Sequence, residues 1–281
     1  MPRSDLTSEL MDGLPVTAAS LILSIYCDIV LPRGGVLWMG SLIDICDRLG
    51  IRENLVRTAA SRMVSAGRLQ GQRVGRRSFY QLAPSLEEEF SETDQLLYAP
   101  YADPTAWTLT FAPDLTEREA RRYRMARIGG DVWLCPERPN MHQIDGVMFR
   151  AEVVTSGESL ARLAMLWDLE TLASQYDAML ARFDGLDGRI RDGCDLEPED
   201  ALIARLLLAH VYRELLASDP GLPVAALPPE WRGSRARRFF RALYAALSPV
   251  ADAHVACMLQ GRDGPLAAQT DQVKARMVAL Q

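Results

Sequence analysis

From Glu53 to Ala66 the apolar residues Leu55, Val56, Ala59, Ala60, Met63 and Val64 return at the three- and four-residue spacing of a helix with one face turned to a core. The opposite face carries Asn54, Arg57, Thr58, Ser61 and Ser65. Gly67 ends this helix. Arg68 to Leu82 then divides into two short runs around the glycine-bearing Val74-Gly75-Arg76-Arg77, the pattern of a β-hairpin. Upstream, Pro15 and Thr17 introduce a strongly apolar helix from Ala18 to Val30. Pro32 to Gly35 is a turn, and Val36 to Met39 is a short strand fit to pair with the hairpin. Ser41 is placed to cap a helix from Leu42 to Leu49, and Gly50 supplies the turn before Glu53. Trp38 reads as a core residue, and residues 1 to 13 as a polar, frayed arm.

Pro84 closes this region, and Leu86 to Leu97 is an acidic helical connector. Past Tyr98-Ala99-Pro100 the pattern changes. Trp107 to Phe111 has strand character, Thr116 to Ile128 a helical one, and Val132 to Cys135 and Val147 to Val154 are strands again, the last after a loop bearing Pro, Asn and His. Five arginines on the helix, Arg118, Arg121, Arg122, Arg124 and Arg127, share it with Glu117 and Glu119 and read as a solvated face. From Ser159 the chain is helical: Ser159 to Phe183 ended by Gly185 and Gly188, a second helix opened by Glu197-Pro198-Glu199-Asp200, and a third from Ser234 to about Met258 after a proline-rich link and Trp231. The class predicted is α+β and multi-domain. It comprises a winged helix-turn-helix over residues 1–85, a central ferredoxin-like unit over 98–158 and a helical C-terminal part over 159–281.

Charge changes this picture. Arg48 to Arg77 holds eight arginines against one acid, Glu53, a local balance of +7 in a chain of formal net charge -6. Concentrated cations on an acidic protein mark a surface for a polyanion, since phosphate contacts supply most non-specific affinity for nucleic acid. The exposed face of the Glu53 to Ala66 helix carries hydrogen-bonding types suited to base edges, with Arg matched to guanine and Asn to adenine. Helix, turn, helix and then a hairpin with a basic tip is the winged helix-turn-helix order, with the second helix in the major groove. The predicted DNA-directed residues are Asn54, Arg57, Thr58, Ser61 and Arg62 on the helix and Arg73, Arg76 and Arg77 on the hairpin, Arg62 at the flank of that face meeting a phosphate or pairing with an acid.

Composition excludes several alternatives. No apolar run approaches the roughly 20 residues that a bilayer span needs, and the N-terminus lacks a signal-peptide core, so the expected location is the cytoplasm. Five cysteines (27, 46, 135, 194, 257) without a CxxC pair predict reduced, mostly buried thiols rather than disulfides or zinc. There is no GxSxG, HExxH or glycine-rich nucleotide loop, so neither a catalytic site nor a cofactor or metal site is expected.

The stretches SLILSIYCDIVLPRGGVLWMGSLIDICDRLGIRENLVRTAASRMVSAGRLQGQRVGRRSFYQL and LLLAHVYRELLASDPGLPVAALPPEWRG resemble the PaaX family, bacterial repressors of phenylacetic acid catabolism. The resemblance runs from about Thr17 to Met258. It implies a winged helix in front, a Cas2-like ferredoxin fold in the middle and a helical end. It implies a homodimer on a palindromic DNA operator, released by an aryl-acyl-CoA effector, typically phenylacetyl-CoA. The family's recognition helix falls on Arg52 to Ala66 and its wing on Arg73 to Tyr80. A CoA thioester needs cations for its phosphates and an aromatic wall for the acyl group, which Arg213, Arg232, Arg235 and Trp231 are placed to supply. The competing reading makes the second motif a brace, with Trp231 packed, Asp219-Pro220 ending a helix and Arg213 paired with Asp219. Two other functions stay open at this level: an enzyme acting on CoA esters, and a metal-dependent nuclease. Against the nuclease, the first central strand, Trp107 to Phe111, holds no carboxylate, although Asp114 lies just beyond.

Overall fold

The computed structural model describes residues 4–86, 96–100, 102–138, 144–154 and 157–280. They gather into two compact units that interleave along the chain. The first takes Met1–Ala99, Ala181–Tyr212 and Phe239–Gln281; the second takes Pro100–Leu180 and Arg213–Arg238. Residues 159–281, expected as one helical part, are thus divided between the two. Each unit mixes helices with an antiparallel sheet. The expected connector from Leu86 to Leu97 and the loop bearing Pro, Asn and His fall largely outside the described residues.

A helix, α1 (Asp5–Met11), stands where a frayed arm was expected. The Ser4 hydroxyl caps it, accepting from the Thr7 N–H at 3.0 Å and donating to Asp200 Oδ1 at 2.5 Å. Leu6 and Leu10, one helical turn apart, are buried, and Arg182 donates to the Leu10 and Asp12 carbonyls. Two leucines and a cap hold a segment whose average composition is polar. Next, α2 (Ala18–Ile25) opens on a reciprocal Thr17–Ser20 cap and runs into a π-turn, Tyr26–Val30, with all five residues buried. After β1 (Val36–Trp38) comes α3 (Met39–Arg48), which starts earlier than expected. Ser41 is not its cap: it lies inside the helix, buried, and its hydroxyl accepts the Gln260 N–H at 3.0 Å.

Gly50, at φ 72°, closes the turn into α4 (Glu53–Ser65). Gly67, at φ 68°, ends that helix while the Arg68 N–H bonds back to the Met63 carbonyl at 2.8 Å. The hairpin follows as β2 (Leu69–Val74) and β3 (Arg77–Leu82), in register from Leu69↔Leu82 to Val74↔Arg77. Its two-residue turn has a positive φ at Gly75 alone, 59°, the type II′ form that matches strand twist. β1 lies on the other side of β3, with Trp38 opposite Phe79, so the sheet order is β1-β3-β2.

In the second unit, β4 (Trp107–Phe111) leads to α5 (Glu117–Arg122), started by a reciprocal Thr116–Glu119 cap. The helix expected to reach Ile128 stops at Arg122, and β5 (Ala126–Gly129) takes the remainder. The cause is Arg124, which adopts φ 58° so that the Met125 N–H can return to the Ala120 carbonyl at 2.8 Å. Glycine usually fills that position; here the Arg124 carbonyl accepts from Trp167 Nε1 and its guanidinium donates to the Leu216 carbonyl, both at 3.2 Å, which hold the strained backbone. β6 (Val132–Pro136) and β7 (Val147–Ala151) complete a sheet ordered β5-β6-β4-β7, antiparallel throughout. Trp133, Cys135, Met125 and Ile144 pack with Ala112 and Ala120 to form its core.

The helix expected from Ser159 to Phe183 is broken. A short α6 (Gly157–Leu160) and a 3-10 turn come first, and α7 (Leu169–Arg191) begins only after Asp168, whose carboxylate accepts the Thr171 N–H at 3.0 Å. Neither Gly185 nor Gly188 stops α7; Gly193, at φ 77°, follows its end. Then come α8 (Pro198–Ser218), α9 (Arg232–Met258) and α10 (Asp271–Ala279). Every residue of α8 from Ala201 to His210 is buried, which marks it as the centre of the first unit. Of the five thiols, Cys27, Cys46 and Cys135 are buried, and Cys194 and Cys257 are exposed.

Candidate nucleic-acid interface

Helix α4 is anchored by Val56, Ala60 and Met63, all buried against the first unit's core. Burying a side chain of the size of Val56 or Met63 contributes about 1.5–3 kcal/mol, enough to fix which face looks outward. Leu55 and Val64, expected on the core side, are instead 53% and 39% exposed. The buried stripe is narrower than the apolar pattern suggests. Asn54, Arg57, Thr58, Ser61 and Arg62 are all exposed, and Leu55 shares a stripe with Thr58 and Arg62 by spacing. The outward surface therefore combines two cations, three short hydrogen-bonding side chains and one apolar group. Arg57 Nε donates to Glu53 Oε1 at 2.7 Å, and the Thr58 hydroxyl donates to the Asn54 carbonyl at 2.7 Å.

Arg73, Arg76 and Arg77 are exposed on the hairpin. Arg73 Nε donates to the Gly75 carbonyl at 3.1 Å, curling over the turn. The Arg77 guanidinium stands 4.9 Å from the centre of the Trp38 ring, a cation–π contact. Trp38 is half-buried and thus more than the core residue the sequence suggested. Its ring covers the place where a Cβ on Gly40 would sit, at 2.4 Å, so position 40 tolerates only glycine while the ring stays there. Arg262, in the tail where the sequence held no readable signal, donates to the Gln72 side chain on β2. The two lie 190 residues apart, and nothing local in the chain could have paired them.

The four residues predicted for an effector differ in setting. Arg213 is buried, Trp231 is half-buried, and Arg232 and Arg235 are exposed at the start of α9. Trp231 stands edge-on to Tyr176, ring centres 6.0 Å apart, and Arg232 Nε donates to Asp177 Oδ2 at 3.2 Å. The Asp219 carboxylate accepts from the Tyr176 hydroxyl at 2.5 Å and the Gly221 N–H at 2.7 Å. Arg138 donates to the Pro220 carbonyl at 2.6 Å, and burial, with Arg124 beside it, pushes its pKa down to about 10. Arg124 and Arg138 thus meet carbonyls at the C-terminal end of α8, where the helix dipole favours cations. Among the described residues no three His, Cys, Asp or Glu side chains gather as a metal site requires, and Asp114 is exposed. Among them, too, no helix is long and apolar enough to cross a membrane.

Comparison with known proteins places this geometry. The family described as PaaX-like protein matches residues 17–86, and the PaaX-like protein C-terminal domain matches residues 167–257. The transcriptional repressor PaaX of Escherichia coli (strain K12) is 30% identical over 271 residues, covering 87% of this chain and 85% of that one. The chain belongs to the PaaX family. The first PaaX match contains α2 to β3 with every residue predicted above to face DNA, and the second contains Arg213, Trp231, Arg232 and Arg235. The four-stranded sheet lies between the two PaaX matches. Among solved structures, the uncharacterized protein Rv0674 from Mycobacterium tuberculosis shares the fold at 21% identity and a TM-score of 0.50, covering 84% of this chain and 98% of its own. The PaaX relative is a transcriptional repressor, which places the family among regulators rather than enzymes.

Proposed function

We propose that this chain is a DNA-binding transcriptional repressor of phenylacetate-type catabolic genes, freed from its operator by an aryl-acyl-CoA. The observation that carries the reading is the outward face of α4 followed at once by the basic hairpin, on a chain that is acidic elsewhere. In this reading α3, the Gly50 turn and α4 are a helix-turn-helix and β2–β3 is its wing. Arg57 and Asn54 read base edges, Leu55 meets a thymine methyl, and Arg62, Arg73, Arg76 and Arg77 meet phosphates. The order β5-β6-β4-β7, with α5 crossing between β4 and β5, supports the ferredoxin-like (Cas2-like) reading of the middle part. A homodimer presents two such helices to the two halves of a palindrome.

The effector must favour the arrangement that does not hold DNA, because a ligand with equal affinity for both states shifts nothing. Arg232 and Arg235 supply exposed cations for its phosphates, and Trp231 with Tyr176 an aromatic wall for the acyl group. Buried Arg213 serves as support rather than as a phosphate contact. The test is a gel-shift of the full chain on DNA upstream of its own gene, at fixed salt, with a panel of aryl- and alkyl-acyl-CoAs. Specific binding released by one ester supports both halves of the proposal. Specific binding indifferent to the panel removes the effector half, and absence of specific binding removes the repressor.

A further inference from the structure

The stretch between α9 and α10, residues 259–270, folds back on itself instead of running straight from one helix to the next. The Leu266 N–H donates to the Leu259 carbonyl at 2.9 Å and the Gly261 N–H to the Gly264 carbonyl at 2.8 Å, closing a tight loop whose bend holds Arg262 and Asp263. Leu259 and Leu266 are buried and pin its base. The Gln260 backbone fastens the loop on two sides. Its carbonyl accepts the Trp38 N–H at 2.8 Å at the outer edge of β1, and its N–H donates to the Ser41 hydroxyl on α3 at 3.0 Å. Gly261 runs so close to β1 that a Cβ on it would stand 3.2 Å from the Val36 carbonyl.

This anchorage gives one face of the three-stranded sheet a cation from the far end of the chain. Strand pairing sets Trp38, Phe79 and Gln72 in one row across β1, β3 and β2. Val74 and Arg77 stand opposite each other one same-face step nearer the turn, roughly 7 Å along the strands. Trp38 carries the Arg77 guanidinium, and Gln72 accepts that of Arg262. Arg262 is exposed, and its partner is a neutral amide. Among the described residues no carboxylate pairs with it, its exposed neighbour Asp263 included. An acid at position 72 would cancel the charge, whereas an amide orients it and leaves it whole. Nor is the contact needed to hold the loop, which the Gln260 backbone and two buried leucines already fix.

We propose that Arg262 is a DNA-backbone contact: with Arg77 it forms a two-cation step on one face of the hairpin, each meeting a phosphate of the duplex that α4 enters. The inference rests on the DNA-binding reading above and extends that surface beyond residues 48–77 to the loop after α9. A guanidinium already ordered by Gln72 loses less freedom on meeting a phosphate. A phosphate contact positions the duplex and carries no sequence information, so Arg262 adds affinity on any sequence.

The test compares the full chain with Arg262→Ala, Arg262→Lys and, as a control on the underlying reading, Arg77→Ala. Each is titrated by fluorescence anisotropy against DNA from upstream of its own gene and against a random duplex, over a series of salt concentrations. Arg262→Ala is expected to weaken both duplexes alike, roughly three- to tenfold near 0.1 M salt, and to reduce the slope of log affinity against log salt by about one. Arg262→Lys keeps the charge and should keep the slope. An unchanged slope in Arg262→Ala, while Arg77→Ala lowers its own, makes Arg262 a clasp and overturns the proposal, whatever the melting temperature does. Loss of the slope in the lysine variant too shows that charge is not what acts, and also overturns it. Slopes unchanged in both alanine variants remove the DNA-binding reading and this inference with it.

Discussion

The Arg77 guanidinium rests on the Trp38 ring, 4.9 Å from its centre, so a cation of the hairpin is oriented by a residue of the neighbouring strand. The contact converts a flexible side chain into a positioned one before any partner arrives, which lowers the ordering cost of binding.

Replacing Trp38 with Leu is expected to weaken DNA binding by roughly twofold to fivefold, the scale of one exposed cation–π contact. Arg77→Ala should reduce affinity on specific and random DNA alike and flatten the salt dependence. If Trp38 acts by orienting Arg77, the double variant loses little more than Arg77→Ala alone. Fluorescence anisotropy at several salt concentrations, arranged as a double-mutant cycle, measures this.

Glu53 holds Arg57 from within α4, and both side chains are more than half exposed. Exposed pairs at this spacing contribute only about 0.3–0.5 kcal/mol to stability. Glu53→Gln should therefore leave the melting temperature almost unchanged while tightening DNA binding a few-fold, since Arg57 no longer has to leave a carboxylate. Arg57→Ala should do the opposite, with more loss on the operator than on random DNA. Binding that is unaltered by both changes would remove Arg57 from the interface.

Burial alone would raise the Asp28 carboxyl, but Arg205 and Arg276 outweigh it and hold the group below the usual carboxylate range. A depressed folded value means that Asp28 adds stability fully above the unfolded value, about 4, and loses it as the pH falls through the folded one. Asp28→Asn is expected to destabilise the protein by about 3–5 kcal/mol at neutral pH, the cost of breaking one side of a buried pair. The deficit should shrink below about pH 4, where the unfolded chain's carboxyl takes up a proton that the folded one still resists. Denaturant melts of both forms from pH 3 to 7 check the sign and the window.

Arg232→Ala and Arg235→Ala should each raise the acyl-CoA concentration needed for operator release several-fold and leave operator affinity without effector unchanged. Gel-shifts with and without the ester separate the two effects. A change in effector-free affinity alone would place these residues outside the effector site.

The exposed face of α4 and the basic hairpin were legible because their signals are local. Apolar spacing defines α4, and glycines at positions 50, 67 and 75 mark turns with positive φ. What escaped was either non-local or carried by an unusual residue. The end of α5 is written by Arg124 in a conformation glycine normally takes, and its supports lie at Trp167 and Leu216. α1 is anchored by Asp200 at its Ser4 cap and by Arg182 at the Leu10 and Asp12 carbonyls, both far along the chain. A buried charge cluster pairs Arg33 with a residue 219 positions away and Arg205 with one 47 away, so composition could count these groups but not assemble them. Leu55 shows the converse error: periodicity placed it inside, yet the core accommodates Val56, Ala60 and Met63 and leaves Leu55 outside.

The first unit is stitched from three separated stretches of chain, and its π-turn aspartate is neutralised by arginines from the other two. The part of the chain that carries α4 and the hairpin is consequently not a portable cassette. A chimera that transplants residues 1–99 onto another regulator would carry Asp28 with the Tyr98 hydroxyl but without Arg205, Arg276 or Tyr244, leaving a buried carboxylate with no cation beside it. On the proposed reading, operator specificity is retuned by exchanging side chains on α4, whereas grafting the whole N-terminal part requires bringing α8, α9 and α10 along with it.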